Sequence, residues 1–429
     1  MSESNAIQTR FRSSLAALLT TVTLSSAASA ASSPAQAVFD ETVYFLLTQY
    51  GGFSAVNLRE LPAQYQLKLS AACMDMANTC PAERAYPIVT EMVAKLEDKH
   101  TGFYAKSADL IREQFSGRGK TTGFGIRPSK LESGYYVRSV QLGSPASKAG
   151  VRRGDKILAV DGVPMPKDSS AAYALWDAAE GRKVPSLLSL TRLGSRVSVE
   201  IAPVTLEPEL PSLQVRPDGI ALLRVPDFVG RGPATVGPRI HTLLLEAQQK
   251  NARALIVDLR DNPGGLVTES FSGAAALIPN KPSQKLISRS PLSNAEFRWN
   301  DGAVIQRAFG VDRKLLTVAT PAKWDKPVTV LVNSYSASCA EFFAINVLQA
   351  VRGAVIGEPT YGVGNTVISF SFLSDGSALQ VTTARTVTAD NAPYPERVTP
   401  TQAVTDSLET INRTGKDAVL EAALLELMK

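Results

Sequence analysis

Two stretches of the chain bring together residue types able to carry nucleophilic chemistry. The first is Asn333-Ser334-Tyr335-Ser336-Ala337-Ser338-Cys339-Ala340-Glu341, a small-residue turn. It joins the apolar run Pro327–Val332 to a segment of helical spacing from about Ser338 to Val351. A serine at the start of that helix would project its hydroxyl at the top of a sheet, where the helix N-terminus favours developing negative charge. A serine there also serves as an ordinary N-cap. The second stretch is Asn262-Pro263-Gly264-Gly265, which follows the apolar run Ala254–Arg260. A glycine pair after a strand can aim free backbone N–H groups into a site, and Pro-Gly-Gly also makes a plain turn. The histidines are His100 and His241 alone, which excludes a multi-histidine metal site, and three cysteines are too few for an unaided zinc site. No metal or organic cofactor is expected.

Three regions must position these residues. Residues 38–118 read as mainly helical, with apolar positions at helical spacing in Val38–Leu47 and Ile88–Leu96. They close on Asp98-Lys99-His100-Thr101-Gly102, and Gly117-Arg118-Gly119 reads as a linker. Residues 119–205 alternate short β-type runs with turns: Gly125-Ile126, Tyr135–Val137, Lys156–Val160, Leu187–Leu190 and Val197–Ile201, with one helix near Ser170–Glu180. Residues 206–429 show strand, helix, strand in sequence: Gly219–Val225, a helix around Val236–Gln249, Ala254–Arg260, Pro327–Val332, the helix from Ser338, then Ala354–Gly357. That order argues a parallel α/β sheet with helical crossovers. Active sites of such sheets form at the C-terminal strand ends, where both singled-out stretches lie. His241 falls inside the Val236–Gln249 helix and reads as a partly exposed helix residue.

Composition narrows the function classes. The chain has 429 residues, 44% hydrophobic and 20% charged, which excludes a mostly disordered chain, a collagen or a coiled coil. The net charge of +5 comes without a dense Lys/Arg tract interleaved with aromatics, so nucleic-acid binding has no support. Arg10 and Arg12 precede the apolar run Leu15–Leu24 and the small-residue site Ala28-Ser29-Ala30. This is the pattern of a secretory signal peptide over residues 1–30, with Ala35-Gln36-Ala37 as a second cleavage site. The expectation is an exported protein, periplasmic or secreted, with no stable membrane span. Export permits disulfides. Cys73 and Cys80 are placed to pair, and Cys339 is expected to be buried and free.

The middle region resembles bacterial PDZ domains in Gly143-Ser144-Pro145-Ala146, Ala149-Gly150-Val151, Gly154–Leu158 and Val160-Asp161-Gly162. Thr122-Gly123-Phe124-Gly125-Ile126 resembles that family's carboxylate-binding loop. Glycines let successive backbone N–H groups turn toward an anion, and the strand from Ile126 would leave an edge for an added peptide. The resemblance implies peptide binding at Gly123, Phe124, Gly125 and Ile126, with Phe124 and Ile126 lining a pocket for the terminal side chain.

Joined to Leu259–Gly265, Ser336–Glu341 and Ile356–Gly362, this module makes the chain resemble the carboxyl-terminal processing (tail-specific) serine peptidases. The resemblance implies a multi-domain α/β architecture: a helical N-terminal part, an inserted PDZ β-module and an α/β catalytic core. It implies Ser338 as nucleophile, with oxyanion donors from the Cys339 N–H and from Gly264 or Gly265. Substrates would be unfolded or tail-exposed proteins with apolar C-termini, cut by acyl-enzyme chemistry. The family's general-base lysine and the glutamine that orients it fall on Val363 and Val367, which can do neither task. His100 is then the candidate base, since an imidazole titrates in the right range. Glu341, Glu358, Lys323 and Lys326 have less to recommend them. The alternative is a non-catalytic homologue that binds tails or a partner protein.

Overall fold

The computed structural model describes residues 32–116, 119–278 and 283–429. The segment expected to be a signal peptide and two residues of the Gly117–Gly119 linker lie outside the described residues. The chain begins with the helix Pro34–Gln49, capped by Ser33, whose hydroxyl accepts from Gln36 N–H. Ala35 and Val38 on its first turn are fully buried, so cleavage after Ala37 would remove packed structure. Helices Leu61–Ala72 and Tyr86–Ala94 complete the N-terminal part, and a disulfide joins Cys73 to Cys80 with Cα atoms 5.5 Å apart.

This N-terminal part is tied to the rest of the chain. Its core cluster includes Leu373, Leu379 and Val381 from the far end of the sequence. The short strand Gly102–Tyr104 pairs antiparallel with Ala378–Thr388, inside a seven-stranded sheet that sequence periodicity does not announce. His100 therefore sits where the first helices meet the last third of the chain.

The middle region, residues 119–205, forms a six-stranded sheet whose main path runs Ile126–Leu131, Gly134–Val140, Lys156–Val160, Ser186–Arg192, Ser195–Ile201. The helix Ser169–Gly181, N-capped by Asp168, covers it. Phe124, Val137, Ile157, Trp176 and Leu188 lie at the centre of its core.

The α/β part is a six-stranded sheet in the order Ser212–Val215, Ile220–Arg224, Ala254–Asp258, Val328–Val332, Gly353–Gly357, Gln402–Ala403. The first pair is antiparallel and the rest are parallel. Ala254–Asp258 and Val328–Val332 are buried on every residue, the signature of strands covered on both faces. The helices Val236–Gln249, Val267–Ala275 and Cys339–Gln349 pack their apolar residues into one cluster with these strands. Because Ala254–Asp258 and Val328–Val332 are parallel neighbours, the loops leaving their C-terminal ends must meet.

His241 departs from its expected exposure. It is fully buried, Ala322 N–H donates to its Nδ1 at 3.0 Å, and Nε2 faces Ser272 O at 3.0 Å. The ring stacks on Trp299 at 5.3 Å. With Nδ1 accepting, the ring proton sits on Nε2. The residue ties its helix to two other segments, a need that helical periodicity alone does not reveal.

Candidate active site

Ser338 stands just before the helix Cys339–Gln349 with φ 52° and ψ −116°. A non-glycine residue in that region costs about 1–3 kcal/mol and persists where surrounding structure holds it. Four sets of contacts do so. Ser336 Oγ donates to Leu259 O at 2.8 Å, and Ala337 N–H donates to Asn262 O at 2.9 Å, which stitches the serine turn to the glycine loop. Asn262 Nδ2 donates to Val225 O at 2.9 Å, anchoring the loop to the next strand. Ser338 N–H donates to Glu341 Oε2 at 2.8 Å.

The glycine loop passes directly against the serine. A Cβ on Gly264 would lie 2.8 Å from Ser338 Cβ and 3.0 Å from Cys339 N. Gly264 and Gly265 have φ of 101° and 143°, values that a side chain would resist. The structure separates these two glycines as donors. Gly264 N–H is committed to Asn262 Oδ1 at 2.8 Å. The N–H groups of Gly265 and Cys339 have no partner among the described residues. Cys339 itself is buried, its thiol donating to Gly265 O at 3.1 Å and pushed up to about 12 by burial, so the sulfur is inert. A pocket of about 230 Å³ opens beside Ser338, walled by Leu266, Phe342, Val367, Ile368 and Phe370.

The positions of the expected lysine and glutamine have taken other work. Val363 is buried and gives its N–H to Glu341 Oε2 at 3.0 Å, while Val367 forms part of the apolar pocket wall. Glu341 also accepts from Gly362 N–H at 2.9 Å and from Thr360 Oγ1 at 2.5 Å. Burial raises its carboxyl and these donors oppose the rise. With every contact a donor, Glu341 is a clamp holding residues 360–363 against the serine turn, and it has no free lone pair aimed at a substrate proton.

His100 is buried, and no hydrogen bond joins it to Ser338 among the described residues. Its Nδ1 lies 2.9 Å from Thr366 Oγ1, and its backbone N–H donates to Asp98 Oδ1 at 2.9 Å. Burial pushes the imidazole down to about 4, against the pull of Asp98, so it is neutral at pH 7. Thr366, three residues past Val363, is the partner that sequence reasoning did not single out. Lys323 leaves only its carbonyl in a hydrogen bond, to Gln248, and Lys326 Nζ donates to Ala252 O at 2.6 Å, so neither joins Ser338. Glu358 accepts from Asp406 N–H at 3.1 Å.

A buried charge network braces both loops from below. Arg260 pairs with Asp258 at 2.9 Å and reaches Asp417 and Asp406 at 2.9 and 3.3 Å. Asn333 Nδ2 donates to Asp261 Oδ1 and Asp406 Oδ2 at 3.0 and 2.9 Å. Two arginines of the β-module join in. Arg153 meets Asp406 at 2.5 Å, and Arg138 stacks over Tyr335 at 4.0 Å.

In that module, Gly123 ends the strand Thr121–Gly123 and Ile126 opens the edge strand. Phe124 does not line an open pocket as expected. It is fully buried, its ring edge-on to Trp176 with centroids 5.5 Å apart. Ile126 belongs to the same core. Phe124 N–H donates to Glu180 Oε1 at 2.9 Å. Among the described residues, no group of three or more His, Cys, Asp or Glu is placed to hold a metal ion.

Residues 219–404 match the family model described as peptidase family S41, and residues 122–202 match that of the PDZ domain. The chain is 26% identical over 322 residues to a carboxyl-terminal-processing protease of Synechocystis sp., covering 71% of this chain and 66% of that protein. It is 29% identical over 322 residues to the chloroplastic carboxyl-terminal-processing peptidase 2 of Arabidopsis thaliana, covering 71% and 57%. The match thus takes in less than two thirds of either relative's length. The solved photosystem II D1 C-terminal processing protease shares the fold, with a TM-score of 0.50 at 20% identity over 90% of this chain and 98% of that one. The two matched regions follow each other in the order in which the β-module and the parallel sheet succeed one another here, which gives the chain a PDZ domain followed by an α/β core that matches peptidase family S41.

Proposed function

We infer that this chain is an exported serine-type endopeptidase that engages protein tails through its PDZ domain and cuts peptide bonds through an acyl-enzyme. The observation that carries the reading is the backbone of Ser338, held at φ 52° and ψ −116° against Gly264. An N-cap serine needs no such conformation, since ordinary caps are extended. In this reading Ser338 Oγ attacks the scissile carbonyl, and the N–H groups of Cys339 and Gly265 receive the oxyanion. Such donors contribute on the order of 10²–10³ in rate each. The apolar pocket beside Ser338 accepts an apolar side chain. His100 serves as base with Thr366 as its orienting partner, the order in which a nucleophile, a base and a third group act together. Its Nε2 must then approach Ser338 when substrate closes the site.

Val363 and Val367 favour a second reading, a non-catalytic homologue that binds tails without cutting. One experiment separates the two. Wild type, Ser338→Ala and His100→Ala are incubated with an unfolded protein bearing an apolar tail and, separately, with a fluorophosphonate that labels activated serines. Cleavage and labelling by wild type, with loss in both variants, is the expected result. Failure of wild type to cut or to label refutes the peptidase reading.

A further inference from the structure

The loop that resembles a PDZ carboxylate-binding loop already holds a carboxylate, and it is the chain's own. Glu180 lies near the C-terminal end of the helix Ser169–Gly181, and its Oε1 accepts from Phe124 N–H at 2.9 Å. The approach is close enough that a Cβ on Gly123 would stand 2.8 Å from the same oxygen. One helical turn earlier, Trp176 packs edge-on against Phe124 in the module's core. Burial raises the Glu180 carboxyl, while the Phe124 amide and the Trp176 indole draw it back. The edge strand Ile126–Leu131 also contains Pro128, which has no N–H to offer an added strand. An anion nest and an apolar pocket are the two features by which a groove of this kind would seize a tail. Here one helix brings Glu180 to the Phe124 N–H and Trp176 against the Phe124 ring that was expected to line the pocket.

We propose that Glu180 is an intramolecular stand-in for the α-carboxylate of a bound tail, so that a tail's carboxylate reaches the loop only by displacing it, while an amidated tail binds with Glu180 in place. This rests on the tail-binding reading above. Such a competitor makes wild-type binding weak and nearly indifferent to the tail's own carboxylate. Its removal restores the preference for a free C-terminus.

The test uses the full chain and a fluorescein-labelled peptide ending Val-Ala-Leu, prepared with a free carboxylate and with a C-terminal amide. Binding is read by fluorescence anisotropy for wild type, Glu180→Ala, Glu180→Ser and Glu180→Gln, with thermal unfolding as the check that each is folded. Wild type is expected to bind the two peptides within about threefold of each other. The Ala and Ser variants should gain tenfold or more for the free acid and nothing for the amide. The Gln variant, whose amide oxygen still reaches Phe124 N–H, should gain less than either. Equal affinity of wild type and Glu180→Ala for the free acid overturns the proposal and leaves tail binding standing. A Gln variant that gains as much as Ala overturns it too, because charge rather than occupancy would then explain the effect. If no form binds either peptide, the proposal and the tail-binding reading fall together.

Discussion

Glu341 is the most economical place to perturb the candidate active site, because one carboxylate joins the serine turn to residues 360–363. Its Oε2 accepts from the N–H groups of Ser338 and Val363, and its Oε1 from Gly362 N–H and Thr360 Oγ1. A glutamine has one oxygen for these four donors. Its better orientation keeps the oxygen on Ser338 and Val363 and turns the NH₂ toward Thr360, whose hydroxyl can accept as it does from Val398 N–H at 2.8 Å. Gly362 N–H then faces another donor. An orphaned buried donor costs about 1–3 kcal/mol, and loss of the charge weakens the two retained bonds by about 1 kcal/mol each. Burial already raises the Glu341 carboxyl, so removing the charge returns part of that loss. We expect Glu341→Gln to lower stability by about 2 kcal/mol. Glu341→Ala orphans the buried N–H groups of Gly362 and Val363 and the part-buried one of Ser338, and should cost about 4 kcal/mol on the same scale. The assay is urea unfolding followed by tryptophan fluorescence, with the midpoint and slope compared among the three proteins. Fluorophosphonate labelling of Ser338 should slow in the Gln variant at a urea concentration where the fold is intact. A Gln variant within about 0.5 kcal/mol of wild type, inside the usual scatter of neutral surface changes, would refute the clamp.

Two further outcomes follow from the same geometry. Ser338→Gly should be more stable than Ser338→Ala by about 1–2 kcal/mol in urea unfolding, since only glycine relaxes at this φ and ψ; equal stability would mean that the turn rearranges. His100 is held near 4 in the fold and is ordinarily near 6.5, so the folded state binds fewer protons than the unfolded state between those values. Stability should therefore fall as pH drops from about 6.5 to about 4, by about 3 kcal/mol relative to a His100→Asn variant, and a flat difference across that window would contradict the burial.

Much of the architecture is legible in the sequence because it is written locally. The continuous apolar runs Ala254–Asp258 and Val328–Val332 are what strands buried on both faces require, and the turns after them mark the strand ends. The PDZ-type glycines stand where the backbone needs positive φ, as at Gly125, Gly143 and Gly150. The seven-stranded sheet is not legible in this way. Val311–Thr317 reads Val-Asp-Arg-Lys and is mostly exposed, so pairing with Ala303–Ala308 and not a hydrophobic pattern makes it a strand.

The candidate site divides along the same line. The sequence by itself determined that a serine and a glycine pair would each stand at the C-terminal end of a strand, and that valines replace the expected lysine and glutamine. Only the tertiary structure decided the rest. Gly264 has its N–H taken by Asn262 and Gly265 does not, a distinction invisible in two adjacent identical residues. His100 meets Thr366 across 266 positions, and Phe124 meets Glu180 across 56. The physical reason is that hydrogen-bond competition and burial depend on which segments arrive at the same place. That information resides in long-range packing and in no local stretch of the chain.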